Sequence, residues 1–153
     1  MVPSSKRVAA VALALSALVV TVRPGSAQAA TCPQIEPYLS FAKINGVTTT
    51  GALGLPDQAS ISAGQCVTLR MVITTQSGST ITTQDVTTSP NTRFFTSPPH
   101  GTFSGPNGSI FCASTADCNL EFPIYGVYHD PCSGTDQLDT AHIHINPCPA
   151  PRS

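Results

Sequence analysis

The chain has no tryptophan, three tyrosines, six phenylalanines and two methionines in 153 residues, and only 10% of it is charged. So few large apolar side chains limit how much core it can build. Basic residues give no surplus, with seven Lys and Arg against eight Asp and Glu. Nucleic acid and anionic membranes are thereby poor partners, because both need a basic patch. No Cys-x-x-Cys pair is present, which argues against a structural zinc site. Also missing are the G-x-S-x-G nucleophile turn, a phosphate-cradling Gly loop and the H-E-x-x-H metalloprotease helix. Glu36 and Glu121 stand too far from other acids to suggest the paired carboxylates of a glycosidase. No catalytic residue is assigned, and the chain is not read as an enzyme.

What is there begins with a leader. Lys6 and Arg7 precede an Ala- and Val-rich run over 8–22, Pro24-Gly25 ends it, and Ala27-Gln28-Ala29 offers a small-residue cleavage site. Residues 1–29 read as a secretory signal peptide, too short in its apolar part for the ~20 residues that span a bilayer. Residues 30–153 are then a single domain, secreted to the periplasm or outside the cell, with no membrane insertion and four basic residues against eight acids. All six cysteines, Cys32, Cys66, Cys112, Cys118, Cys132 and Cys148, lie in that part. An even count in an exported chain reads as three disulfides. At ~2–4 kcal/mol each they would matter to a core this small.

No segment after the leader has helical periodicity. Over 66–74, Val67, Leu69, Met71 and Ile73 share one side of an extended chain and Thr68, Arg70, Val72 and Thr74 the other, the pattern of a half-buried antiparallel strand. Six more segments read as strands, at 38–44, 79–86, 93–96, 109–112, 120–128 and 140–145, with 79–86 polar enough for an edge. Gly, Pro, Ser, Asn and Asp fill the breaks between them. Seven short strands fit a two-sheet sandwich or a small closed barrel. Pro123 inside the sixth strand requires a bulge or an edge there. Asn107-Gly108-Ser109 is both a tight-turn sequence and an N-glycosylation acceptor.

The segment SPPHGTFSGPNGSIF, 97–111, resembles the P-x-HG-T-V signature of bacterial cadherin-like and immunoglobulin-like repeats, and GTDQLDTAHIHINP, 134–147, is similar to their closing strand. ISAGQCVTLRMVI, 61–73, resembles their second strand. The resemblance implies an all-β, seven-stranded antiparallel immunoglobulin-like sandwich, here with three disulfides where such repeats have few cysteines. It also implies a pairing. With the first and last strands parallel, Cys32 meets Cys132, Cys66 meets Cys148, and Cys112 closes a local loop with Cys118.

His142 and His144 project from the same side of the last strand, so two imidazoles could grip one Cu²⁺ or Zn²⁺. His129 is the candidate third ligand, with Asp139 and His100 behind it. The plainer reading is an outward strand surface, since Ala141, Ile143 and Ile145 form the inward set. Asp130, Asp136 and Asp139 share one loop, where oxygen ligands for Ca²⁺ or ordinary turn acids both fit. His129 beside Asp130 reads as half a triad without a nucleophile, and His100 as a turn residue. The expectation is an exported immunoglobulin-like module with a binding or structural role, no cofactor, and a protein or glycan partner at the cell surface or outside the cell. The alternative is an exported Cu/Zn-binding protein using the His-x-His pair.

Overall fold

From Val67 to Ile73 every second side chain is apolar and buried, and this strand organises the molecule. The structure, a computed structural model, describes residues 31–49 and 56–152. The leader at 1–29 lies outside the described residues. Ten strands follow in order: β1 (Gln34–Ile44), β2 (Val47–Thr48), β3 (Gln58–Ile61), β4 (Cys66–Ser77), β5 (Thr80–Asp85), β6 (Thr92–Phe95), β7 (Thr102–Ser104), β8 (Ile110–Cys112), β9 (Glu121–His129) and β10 (Asp136–Ile145). Seven of them overlap the seven expected segments, with β1 and β10 each beginning four residues earlier than expected and β4 ending three later. The additional strands, β2, β3 and β7, have two, four and three residues, too few for alternation to be seen.

The strands make two separate sheets. One has the order β2-β1-β4-β8-β7, with β5 also beside β4; the other is β3-β10-β9-β6. Leu39 and Phe41 of β1, Val67, Leu69, Met71 and Ile73 of β4, Phe111 of β8, Phe122 and Ile124 of β9, and Ala141, Ile143 and Ile145 of β10 form one shared core. Each large apolar side chain so buried contributes about 1.5–3 kcal/mol. Gly126 of β9 faces the same core. A Cβ placed on it would lie 3.2 Å from both Leu39 methyls and from Met71 Sδ, so any side chain there must push these flexible neighbours aside where the sheets approach.

β10 pairs antiparallel with β9 and parallel with β3, not with β1. Of the three expected cysteine pairs, one forms and two are corrected. Cys32 is bonded to Cys132, Cys66 to Cys112, and Cys118 to Cys148. Cys66 with Cys148 and Cys112 with Cys118 do not form. The reason is register: β4 runs antiparallel to β8 with Cys66 directly opposite Cys112. Cys118 meets Cys148 because Asn119 N–H donates to Ile145 and Asn146 carbonyls and Ile145 N–H to Leu120 O, laying the start of β9 along the end of β10.

A side chain also ties first strand to last. Asp139 Oδ2 accepts the Leu39 N–H at 2.6 Å across 100 residues, a charge-assisted bond worth about 1.5–3 kcal/mol. Pro123 sits in β9 without a register shift, opposite His142. His142 N–H points the other way, to Asp57 O, so the two form a non-hydrogen-bonded pair and the Pro123 nitrogen faces away from β10. β6 pairs only with Tyr125–Tyr128 and does not reach it. Pro123 thus occupies a local edge, as its missing donor requires. Asn107 lies in a 3₁₀ turn with φ 55°, and its Nδ2 donates to Thr87 O and Ser89 O. A glycan on that nitrogen would replace one of its two hydrogens and so break one of these bonds, which favours the turn reading.

Replacing Gly126 by valine is expected to destabilise the fold by about 1–3 kcal/mol through overpacking, measured as a lowered urea midpoint with unchanged m-value. An unchanged midpoint would show that the sheets do not approach at Gly126.

Candidate functional site

The outward surface of β3-β10-β9-β6 is a ladder of rows fixed by register. Ser60, His144 and Glu121 form one row, and Gln58, His142 and Pro123 the next. Thr140, Tyr125 and Phe95 follow, then Leu138, Val127 and Arg93, and last Asp136 beside His129. Period-two alternation turns these side chains out because Ala141, Ile143 and Ile145 turn in. Phe95 and Tyr125 stack at 5.4 Å in the middle of the surface.

At the first two rows lies an open groove of about 380 Å³, lined by Gln58, Ala59, Ser60, Glu121, His142 and His144. It contains two imidazoles, one carboxylate and no Lys or Arg. Ser60 Oγ donates to Asn146 Oδ1 at 2.8 Å, which holds that wall. Such a donor set suits a cation or a polar group with hydrogen-bond donors.

His129 does not join it. It stands opposite Asp136, while His142 stands opposite Pro123. Six residues of β9 separate the two positions, about 20 Å at ~3.3 Å per residue. His129 Nδ1 bonds Asp136 Oδ1 at 2.8 Å, and Arg93 donates to the same carboxyl group at 3.2 Å. The residue that takes its place near His144 is Glu121, which its isolation in the sequence concealed. Only the register of two neighbouring strands brings together residues 23 positions apart. Even so, among the described residues no three His, Cys, Asp or Glu side chains are already grouped to hold a metal ion.

The three acids expected in one loop do not share it, since Asp136 and Asp139 belong to β10, and each is occupied separately. Asp130 accepts the Cys132 and Ser133 N–H groups and the Ser133 hydroxyl, Asp136 holds His129 and Arg93, and Asp139 holds Leu39. Turn and cross-strand roles account for all three, and His129 pairs with Asp136 instead of Asp130. The Ser133 hydroxyl outweighs burial and, with the two amides, holds the Asp130 carboxyl below the usual aspartate range.

His100 does more than turn the chain. Its ring stacks on Phe122 at 4.1 Å, and its Nδ1 lies 3.0 Å from Oδ1 of the buried Asp117. Asp117 Oδ2 accepts both the Ser114 N–H and hydroxyl, at 2.8 and 2.7 Å. Burial raises the Asp117 pKa, but the Ser114 and His100 bonds together outweigh it and leave the carboxyl below its ordinary value. This arrangement packs and braces the segment leading to Cys118; the Ser114 hydroxyl bonds the carboxylate, not the imidazole, so it is not a triad.

Comparison with known proteins finds no family model, curated protein or solved structure that matches the chain.

Because the Asp117 and Asp130 pKa values are lowered in the fold, their stabilisation is complete above the ordinary aspartate value of 3.8 and is lost as pH falls through the lower folded values. The melting temperature is expected to drop steeply below pH 4, and Asp117→Asn to lower it at pH 7 while flattening that drop. A melting temperature constant from pH 7 to 2 would contradict the pairing.

Proposed function

We propose that the protein is an exported, disulfide-stapled β-sandwich of immunoglobulin-like type that acts as a binding module outside the cytoplasm. Strand order carries the reading. In its support, β1, β4, β8 and β7 can be labelled A, B, E and D, and β6, β9 and β10 C, F and G, the strand orders of immunoglobulin sheets, with β2, β3 and β5 additional to them. The resemblance of 97–111 and 134–147 to bacterial cadherin-like and immunoglobulin-like repeats supports the same relationship. Three disulfides fit an extracellular or periplasmic protein. Among the described residues no helix is long and apolar enough to cross a membrane.

Of the surfaces such folds use, the edge strand β5 is the one we favour, and a protein is the partner we favour over a glycan. All six β5 residues are exposed, Ile81 at 65%, and among the described residues the strand pairs only with β4. It has neither Lys nor Pro, the residues that usually block an edge. An extended segment of a partner would add there as the next strand, main-chain bonds supplying affinity.

The oxidised protein, immobilised and exposed to envelope and culture fractions, is expected to retain a protein that the Ile81→Lys/Thr83→Lys variant releases, with amide exchange at 80–85 slowed in the complex. Equal retention by the variant would overturn the edge route. Turnover of a hydrolase substrate that a heat-inactivated sample lacks would overturn the binding role itself.

A further inference from the structure

Of the four histidines, two have carboxylate partners, His100 with Asp117 and His129 with Asp136. The side chains of His142, His144 and Glu121 make no hydrogen bond or ion pair among the described residues, yet all three line one groove. A chain with so few charged groups has satisfied the rest of its histidines and left these two open beside a carboxylate. We propose that His142, His144 and Glu121 form a surface site for a divalent transition-metal ion, binding Cu²⁺ more tightly than Zn²⁺.

The backbone under the site is fixed. Ile143 and Ile145, fully buried on either side of His144, pin β10 to the core, and β3 and β9 flank it in register. The two histidines therefore leave the same side of one strand, their Cα atoms ~6–7 Å apart. Imidazole is long enough for one nitrogen from each ring to reach a common ion at ~2.0–2.1 Å. Glu121, directly opposite His144 on the neighbouring strand, supplies an oxygen ligand and the negative charge that favours a cation over an anion. The three side chains are not converged as they stand. Closing the site takes rotations about their χ angles in an open groove, and no hydrogen bond has to break. Water has room to complete the coordination, and Gln58 and Ser60 on β3 provide the polar wall beside it. Imidazole donors with one carboxylate suit Cu²⁺ and Zn²⁺, and the affinity order at such a site places Cu²⁺ first.

The inference is independent of the partner proposed for β5, which lies in the other sheet. Its test uses the oxidised protein purified without a histidine tag, titrated calorimetrically with Cu²⁺ alone and then with Zn²⁺ alone, with electron paramagnetic resonance on the Cu²⁺ form. The expected result is one equivalent of Cu²⁺ at micromolar or lower Kd, a two-nitrogen hyperfine pattern and weaker Zn²⁺ binding. His142→Ala and His144→Ala should each weaken Cu²⁺ at least tenfold, Glu121→Gln severalfold, and His129→Ala not at all. Circular dichroism of each variant checks that it folds. No heat at micromolar protein, binding that survives in the His142→Ala/His144→Ala double variant, or loss on His129→Ala would overturn the site, and full affinity in Glu121→Gln would remove the carboxylate from it.

Discussion

Strand register is the constraint on which everything else in this molecule depends. Because side chains alternate with period two, a slip of one residue in β10 would send Ala141, Ile143 and Ile145 into solvent and turn His142 and His144 into the core. Burying two imidazoles without partners would cost several kcal/mol on top of the apolar area lost. The same register sets Cys66 against Cys112 and puts Glu121 beside His144. Core, cross-links and groove are consequences of one alignment.

Small aromatic content is offset by fasteners between distant parts of the chain. Cys32–Cys132 and the Asp139 to Leu39 bond each span 100 residues and hold the ends of the domain together. Cys118–Cys148 and the Asn119 and Ile145 backbone bonds do the same at the start of β9. The polar residues that looked like candidates for chemistry are drawn into this work. Asp130 closes its own turn, Asp117 braces Ser114 against His100, and Asn107 ties its turn to Thr87 and Ser89. What is left uncommitted, the His142, His144 and Glu121 groove, stands out for that reason.

Local pattern was readable and pairing was not. The alternation in β4 and β10 is written in consecutive residues, so seven strands, and the inward sides of these two, could be located from sequence. β2, β3 and β7 are too short to carry a period, so the parallel neighbour of β10 was assigned to the first strand; the two mispaired disulfides come from the register of β4 against β8 and of the start of β9 against the end of β10, which no local pattern records. Glu121 was passed over as isolated because its cross-strand neighbour is another strand's histidine, a relation that no spacing along the chain encodes. Pro123 was legible in kind, since a proline must avoid a ladder bond, and the structure supplies the particular reason that β6 ends before reaching it.

The most direct test of the register is the set of backbone nuclear Overhauser contacts in the oxidised protein. The account predicts a strong contact between the α-protons of His142 and Pro123, as a non-hydrogen-bonded antiparallel pair requires, and parallel contacts joining 58–61 to 142–145. Contacts shifted by one residue along β9, or joining β10 to β1 in place of β3, would contradict it.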